Sequence, residues 1–393
     1  MTSTVYIAKN VYGGDGLGRL GDGRVVFVAG AIAGEQVKAE IVEEKRHFVR
    51  ARLVEVVEPS PDRVEPLAGA VPGMVYTHMS YAAERQAKES QLREFFERAR
   101  LEVPSLTALG EGLPSLNYRN KVVYHFARQR GTWAIGYRKE PSHEIVDVAE
   151  DPLARPEINA KLPEIRKSVL ALLTTGPEVV RRDIERKGVV TVRWTEKSGV
   201  KWWVGAAPEG VVLKETTCGR TFEVPADGFY QVNPAAGEEL VKAVVDICGG
   251  ARPPKAVLDL YCGVGVFGIC SRAAEVVGVE SGRQAIDFAR RNAALHKTAA
   301  KFYAEEVGRC LKRLRVDGET TVIVDPPRGG LEPRVPEWLA DCGAPRIVYV
   351  SCDPATLVRD LRTVSRRYAI ESVKWIDMFP RTARFETLVT LKG

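Results

Sequence analysis

The residues best suited to do chemistry are grouped around a cysteine in a turn that follows an apolar stretch. The strand-like segment 346–350 runs into Ser351, and Cys352 comes next, beside Asp353-Pro354. A cysteine in this position presents its sulfur at the rim of a sheet, where open α/β sheets gather ligands and reactive groups. A thiolate at that rim can act as a nucleophile. The other six cysteines lack this context and are interpreted as small buried hydrophobes.

A glycine-rich loop after another apolar strand is typical of a site for an adenosine-containing ligand. The segment 256–260 runs into Tyr261 and then into G-x-G-x-x-G at 263–268. Glycines allow a tight turn and a close approach to a ligand. The next apolar segment, 275–279, ends in Glu280, whose carboxylate can accept hydrogen bonds from ribose hydroxyls. This pattern alone fits a nicotinamide cofactor as well as S-adenosylmethionine.

A further strand end carries an acidic residue in a stiff turn. The apolar segment 321–324 is followed by Asp325, two prolines, Arg328 and two glycines. The prolines stiffen this turn and the glycines end it. Because Cys352 follows the next apolar strand along the chain, we interpret Asp325 as a functional residue of the same rim rather than as a solvated carboxylate.

The elements that must position these residues fall into regions of different pattern. Short strands with glycine turns over 5–58 predict a small β-barrel. Helix formers dominate 80–101, and a second helix is predicted over 156–174. From about residue 235, helices alternate with apolar strands, which predicts a parallel sheet. The last apolar segment, 385–391, is predicted to pair antiparallel with 370–376.

Composition sets broad limits on the class of protein. The 393 residues suffice for two or three domains, and the hydrophobic fraction of 45% is ordinary for a globular protein. We find no apolar run long enough to span a membrane and no secretory signal, and seven cysteines fit a reducing cytoplasm. The net charge of +6 permits a polyanionic partner without requiring one.

Five motifs, in order, resemble those of the S-adenosylmethionine-dependent RNA uracil-5-methyltransferases, a family that acts on transfer and ribosomal RNA. The matching segments are F-x-Q-x-N at 229–233, the donor loop at 259–268, D-P-P-R at 325–328, the Cys352 turn at 351–357, and a C-terminal signature at 377–380 with 386–387. The N-terminal region resembles the RNA-binding TRAM domain of that family. The resemblance spans nearly the whole chain.

The resemblance implies roles for individual residues. It assigns Cys352 as the nucleophile and Glu386 as the general base. It implies a pocket for the methyl donor and the uracil lined by Gln231, Tyr261, Gly263, Gly265, Glu280 and Asp325. Three positions depart from the family pattern: Val266 and Asp353 stand where Asn is common, and Arg384 stands where His is common.

The same resemblance implies an α/β fold in three parts. These are a TRAM-like, OB-like β-barrel over 1–58, a mixed central domain over 59–79 and 111–228, and a doubly wound, Rossmann-like methyltransferase domain over 80–110 and 229–393. We expect a cytoplasmic monomer with RNA as its partner and no membrane association. The barrel and the extra central domain favour ribosomal RNA, with transfer RNA as the alternative.

Many relatives with this barrel hold an iron–sulfur cluster on four cysteines of the central domain, and here those cysteines are missing. The first cysteine of the chain is Cys218, and the stretch 65–74 contains none. Asp151 stands where the fourth ligand is expected. Iron–sulfur clusters need thiolate ligands, so we predict that this chain holds no cluster and no other metal.

Three other classes of protein remain compatible with part of the pattern. A catalytically silent RNA-binding or chaperone protein would keep the fold, although the intact set of Cys352, Glu386 and Asp325 weighs against it. A nicotinamide-dependent oxidoreductase would explain the glycine loop and leave the Cys352 turn unexplained. An amino-group methyltransferase typically carries an aromatic residue where Arg328 follows the prolines.

Overall fold

The computed structural model describes residues 2–140, 142–249 and 252–393; Met1, Pro141, Gly250 and Ala251, which fall within the predicted domain ranges, lie outside the described residues. The strands are β1 (Thr2–Asn10), β2 (Gly16–Arg19), β3 (Val25–Ala29), β4 (Gln36–Glu44), β5 (Phe48–Glu58), β6 (Leu106–Leu109), β7 (Lys121–Gln129), β8 (Thr132–Arg138), β9 (Ile145–Asp147), β10 (Val189–Thr195), β11 (Gly199–Val204), β12 (Val212–Thr217), β13 (Arg220–Pro225), β14 (Ala256–Leu260), β15 (Glu275–Glu280), β16 (Ala300–Ala304), β17 (Thr320–Val324), β18 (Arg346–Ser351), β19 (Ala369–Ile376) and β20 (Glu386–Lys392). The α-helices are α1 (Tyr81–Ala99), α2 (Pro156–Thr175), α3 (Glu178–Lys187), α4 (Pro234–Cys248), α5 (Val266–Cys270), α6 (Arg283–Leu295), α7 (Val307–Cys310), α8 (Val335–Asp341) and α9 (Pro354–Val364), with a 3-10 turn at Leu311–Arg313.

The first five strands close into a barrel in the order β1-β2-β3-β5-β4. Alternate residues of each strand point inward, so Val26 and Val28 of β3 are fully buried and meet Val5 and Ile7 of β1. Gly18 is needed in β2, because a Cβ there would lie 2.4 Å from the carbonyl oxygen of Tyr6. The barrel predicted from the sequence is confirmed.

The central region is a five-stranded sheet, β11-β10-β7-β8-β9, covered by α2 and α3. Helix α2 begins at Pro156, in the first turn, where the missing amide hydrogen costs nothing. Its buried residues recur every three or four positions: Ile158, Leu162, Ile165, Val169 and Leu173. This apolar stripe packs on the sheet, and the predicted helix over 156–174 is confirmed. The β12–β13 hairpin packs instead with α4 and α6.

The C-terminal sheet has eight strands in the order β16-β15-β14-β17-β18-β20-β19-β6. Strands β14 to β18 are parallel to one another, as the alternating pattern predicts. The predicted antiparallel pairing of β20 with β19 is confirmed. Two features were not anticipated: β20 also pairs antiparallel with β18, and β6 extends the sheet by pairing parallel with β19. The helix formers at 80–101 form α1, which packs against α9 of the C-terminal sheet region.

A buried charge cluster fastens α1 to the loop between β19 and β20. The ammonium of Lys88 lies 2.7 Å from a carboxylate oxygen of Glu84 and 2.8 Å from one of Asp377, and all three side chains are buried. The backbone amide of Arg381 donates to Glu84 at 2.7 Å. Charges removed from water must be paired, so this cluster fixes the loop that precedes Glu386.

We predict that Lys88→Met destabilises the fold by about 3–5 kcal/mol, because it removes the ammonium shared by the buried carboxylates of Glu84 and Asp377 and leaves Glu84 only the guanidinium of Arg381 at 3.6 Å. Urea unfolding followed by tryptophan fluorescence measures the loss. Lys242→Met is the matched control, since Lys242 pairs with Glu238 and Glu239 on an exposed helix face, and little change is expected there. Equal losses in the two variants would contradict the structural role of the cluster.

Candidate active site at the rim of the C-terminal sheet

The antiparallel register of β18 and β20 brings the two reactive candidates together. Ser351 pairs with Thr387, so Cys352, one residue after Ser351, and Glu386, one residue before Thr387, lie opposite each other at the same end of the sheet. Cys352 is half-buried, whereas Glu386 is only 5% exposed. A thiol that solvent can reach therefore lies beside a carboxyl group that solvent hardly reaches.

The turn that carries Cys352 is fixed by local hydrogen bonds. Asp353 is the N-cap of α9, and its carboxylate accepts from the backbone amides of Ala355 at 3.0 Å and Thr356 at 3.1 Å. The hydroxyl of Ser351 accepts from the amide of Asp353 at 3.2 Å. Asp is among the preferred N-cap residues, and Pro354 fits the first helical position. The sequence thus folds locally into a rigid turn that carries the sulfur. This turn and the facing Glu386 form the reactive corner.

The electrostatics of the corner disfavour charge on both groups. Burial first, then the carboxylates of Glu386 and Asp325, raise the pKa of the Cys352 thiol to about 11 against the opposing charge of the Arg328 guanidinium. Burial also raises the pKa of Glu386 well above its ordinary value, with Asp325 adding to the rise and Arg328 opposing it. Burial, then the charge of Asp259, raises the pKa of Asp325 to about 7. The Cys352 thiol therefore lies within electrostatic range of Glu386, Asp325 and Arg328.

A pocket next to this corner is formed between the start of α4 and the glycine loop. Its lining includes four of the predicted residues: Gln231, Tyr261, Gly263 and Asp325. Its other lining residues are Thr217, Phe229, Tyr230, Pro234, Gly237, Val241, Cys262, Val264, Val266 and Phe267. The mixture of apolar walls and a few polar groups is typical of a site for an organic cofactor.

Backbone conformation explains two residues of the pocket. Tyr261 has a φ of +64°, which is uncommon for a residue with a side chain, and its hydroxyl accepts from the amide of Glu332 at 3.3 Å. Gly237 must lack a side chain, because a Cβ there would lie 2.8 Å from the Cβ of Gln231. The strained Tyr261 turn and the close approach at Gln231 together shape the two sides of the pocket.

Two of the predicted residues do not line this pocket. The amide of Gly265 donates to the carbonyl of Cys262 at 2.8 Å, and a Cβ at Gly265 would contact Ile269 at 3.2 Å. Its φ of +86° allows the turn into α5. Glu280 ends β15 at the rim, where its carboxylate accepts from the amide of Gly282 at 2.7 Å. The motif identified both positions without revealing that neither faces the enclosed part of the pocket.

The structure also separates the two aromatic residues beside Gln231. Tyr230 is buried, and its hydroxyl is hydrogen-bonded to that of Thr217 at 2.5 Å. Phe229 is 73% exposed at the mouth of the pocket. Two further residues of the corner received no role from the sequence: Arg328, which belongs to a motif, and Tyr12 of the barrel, for which no sequence signal exists.

The central region does not fit an iron–sulfur cluster. Asp151 is fully buried and accepts hydrogen bonds from the hydroxyls of Tyr137 at 2.7 Å and Tyr124 at 3.1 Å. Val71 and Met74, from the cysteine-free stretch, pack into the same core. Phenols and apolar side chains are no ligands for such a cluster. Among the described residues, no group of three or more His, Cys, Asp or Glu side chains could hold a metal ion; the absence of a cluster stays a prediction.

Fold and pocket together define a class: an α/β protein with a cofactor-type pocket at the rim of its C-terminal sheet and an appended β-barrel. A family model described as tRNA (Uracil-5-)-methyltransferase matches residues 213–393, and one described as TRAM domain matches residues 2–54. No helix in the part of the chain that the structure describes is long and apolar enough to cross a bilayer.

Comparison with known proteins extends the match to the whole chain. An uncharacterized RNA methyltransferase of Gloeobacter violaceus is 31% identical, covering 100% of this chain and 96% of that protein. The 23S rRNA (uracil(1939)-C(5))-methyltransferase RlmD of Vibrio campbellii is 30% identical, covering 92% and 90%. The crystal structure of Pyrococcus abyssi tRNA (uracil-54, C5)-methyltransferase in complex with S-adenosyl-L-homocysteine has a TM-score of 0.74 at 24% identity, covering 98% of this chain and 100% of that one.

The chain belongs to the family of S-adenosylmethionine-dependent RNA uracil-5-methyltransferases. The family and the enzyme class predicted from the sequence motifs are thereby confirmed, as is the combination of an N-terminal barrel with an α/β methyltransferase fold.

We predict that the pH dependence of Cys352 alkylation by iodoacetamide reports the effect of Glu386 on the thiol. The rate should rise with pH toward about 11, because the thiolate is the reacting form. In Glu386→Gln, one of the carboxylates that raise the thiol pKa is removed, so the midpoint of the profile should move to lower pH. Mass spectrometry of peptides after short pulses of reagent follows each cysteine separately.

Cys342 provides an internal control for this experiment, since it is half-buried and precedes the opposite end of β18. Its profile should not respond to the change at residue 386. An unchanged midpoint for Cys352 would mean that the thiol and the carboxyl group do not sense each other.

Proposed function

We propose that this enzyme methylates C5 of a uridine in ribosomal RNA through a covalent bond between Cys352 and C6 of the base. The observation that carries the proposal is the opposition of Cys352 and Glu386 across β18 and β20. A nucleophile and a base held at one rim, beside a pocket for the methyl donor, are what this reaction requires.

The reaction needs a nucleophile because C5 of uracil is too electron-poor to take a methyl group directly. Addition of the Cys352 thiolate at C6 produces an enolate, and C5 then carries negative charge. S-adenosylmethionine, when bound, supplies the methyl group on a positively charged sulfonium. Glu386 afterwards removes the proton from C5, the double bond reforms, and the sulfur leaves C6.

The raised pKa values fit these roles. Burial raises the pKa of both Cys352 and Glu386, so the corner disfavours the simultaneous burial of two negative charges. A carboxylate of raised pKa is also the stronger base once it is ionised. Arg328, which favours the ionised form of both groups, is proposed to stabilise them as the reaction begins.

Recognition of the base is assigned to the neighbouring side chains. The target base must leave its stack to enter the corner, and the exposed ring of Phe229 offers a stacking face. Gln231 is proposed to donate a hydrogen bond to the enolate oxygen, and Asp325 lines the same pocket. A side-chain amide can donate to the acceptor groups on the edge of uracil, and a carboxylate can accept from its donor group.

The donor is proposed to be held by the loop residues Tyr261 and Gly263 together with Asp325. Glu280 is proposed to accept from its ribose hydroxyls at the rim of the sheet, after exchange of the present bond to Gly282. Gly265 is proposed to contribute through conformation alone, since its amide is already used within the turn. Val266 supplies an apolar wall where relatives often carry Asn.

RNA binding is assigned to the barrel of residues 1–58, in a monomer. The barrel presents the half-buried rings of Phe27 and Phe48, with the guanidinium of Arg50 within 6.0 Å of both ring centres. Aromatic faces and arginine are the groups that bind unpaired nucleotides. We propose that the rest of the chain forms two domains. These are the central domain, 59–79 and 111–228, and the methyltransferase domain, 80–110 and 229–393.

Ribosomal RNA is favoured over transfer RNA because the relative named for a 23S rRNA uridine aligns with 92% of this chain at 30% identity. The structure of the transfer RNA enzyme, at 24% identity, supports only the fold.

We predict that Glu386→Gln accumulates a covalent protein–RNA adduct when S-adenosylmethionine and total RNA are supplied. Without the base, the C5 proton stays and the sulfur cannot leave. Denaturing gels should therefore show a slowly migrating band that RNase removes. Cys352→Ala is the matched control and should form no adduct in either background while still binding RNA. Full turnover by Glu386→Gln would contradict the role of the base.

We predict that one 5-methyluridine of ribosomal RNA disappears from cells that lack this protein. The modification should return with the wild-type chain and not with Cys352→Ala, because only the former can form the bond to C6. Mass spectrometry of RNase fragments from total RNA locates the site. Loss confined to transfer RNA would transfer the assignment to that substrate, and no loss at all would indicate a catalytically silent RNA-binding protein.

A further inference from the structure

A side-chain bridge runs from the barrel to the residues that flank the reactive pair. The Nη1 atom of Arg384 donates to the hydroxyl of Tyr12 at 3.3 Å and to Oδ2 of Asp353 at 3.3 Å. Tyr12 lies in the turn between β1 and β2, Asp353 directly follows Cys352, and Arg384 lies two residues before Glu386. One guanidinium therefore joins three distant segments of the chain beside the proposed nucleophile and base.

The ring of Tyr12 is seated firmly enough to direct its hydroxyl. It makes edge-to-face contacts with Phe95 of α1, with ring centres 5.5 Å apart, and with Phe385, at 5.9 Å. Such contacts fix the orientation of a ring. Phe385 is fully buried and is the residue immediately before Glu386. The barrel thus touches the segment that carries the proposed base both through a ring and through a hydrogen bond.

Asp353 is held at the other end of the bridge with both oxygens in use. Oδ1 accepts from the first turn of α9, and Oδ2 accepts from Arg384. The side chains of Arg384 and Asp353 are 38% and 19% exposed, and ion pairs near the surface add little to folding stability. The bridge is therefore better suited to setting the geometry of the corner than to stabilising the fold.

The pairing also accounts for two departures in the sequence motifs. Asp353 and Arg384 each introduce a charge at a position where a neutral or smaller side chain is common, and in the structure those two charges face each other. Either one alone would leave an unbalanced charge next to the reactive pair. Together they form a neutral link.

We propose that Tyr12, Arg384 and Asp353 are positioning residues. They hold Cys352 and Glu386 in the arrangement that reaction with the target base requires. The barrel is then a structural part of the active site as well as the proposed RNA-binding module. This inference rests on the proposed roles of Cys352 and Glu386. Because small displacements of reacting groups cost large factors in rate, loss of the bridge slows chemistry without weakening RNA binding.

The test measures the rate at which the covalent adduct forms in the Glu386→Gln background, with S-adenosylmethionine and total RNA from cells that lack the protein. Arg384→Met removes the centre of the bridge and keeps the aliphatic stem, and it should slow adduct formation by about tenfold. Tyr12→Phe removes only one hydroxyl and should slow it in the same direction. Combining the two changes should add little to Arg384→Met alone, because both break one bridge.

The controls separate positioning from other roles. Tyr303→Phe, on the edge strand β16 and partly exposed, should leave the rate unchanged. RNA affinity by filter binding and urea unfolding should be the same for Tyr12→Phe as for the parent. A rate that falls together with affinity or stability would overturn the positioning role.

The outcomes also distinguish the two proposals. If Glu386→Gln forms no adduct at all, the proposed function fails and this inference with it. If the adduct forms at an unchanged rate in Arg384→Met and Tyr12→Phe, the function stands and the bridge has no part in positioning the reactive groups.

Discussion

The pairing of β18 with β20 is the constraint on which the site depends. Parallel strands β14, β17 and β18 bring their carboxyl ends to one rim, which accounts for the glycine loop, Asp325 and Cys352. Only an antiparallel strand can bring a residue to that rim from its amino end, and β20 does so with Glu386. A single reversed strand thus supplies the carboxyl group that a purely parallel sheet would lack next to the thiol.

That strand enters the sheet through a loop held by buried charge. Lys88 of α1 donates to Asp377 and to Glu84 of the same helix, and Glu84 accepts from the backbone amide of Arg381. The guanidinium of Arg381 also donates to the carbonyl of Met79 at 3.0 Å. Helix α1 therefore acts as a clamp on the segment before Glu386, although it precedes that segment by nearly three hundred residues. The loop between β19 and β20 thus connects α1 to the strand that carries Glu386.

Local signals explain how much of this could be predicted from the sequence. Cys352 and Asp325 each follow an apolar strand and begin a turn with proline, so their location at a sheet rim could be read directly. The barrel and the parallel strands followed from periodicity. The insertion of β20 between β18 and β19, the addition of β6, and the reach of Tyr12 into the corner depend on contacts between distant segments. Lys88, on a polar-looking helix, gives no sign of burial in its sequence, and Gly265 shows that a motif glycine can serve packing rather than a ligand.

The location of β20 also bears on how the C-terminal sheet is assembled during folding. The strand follows both β18 and β19 along the chain, yet it lies between them in the finished sheet. Until β20 inserts, the sheet remains divided, and the facing edges of β18 and β19 are open to foreign strands. A folding intermediate without β20 also lacks Glu386 at the rim, so the sheet and the reactive corner are completed in the same step of folding.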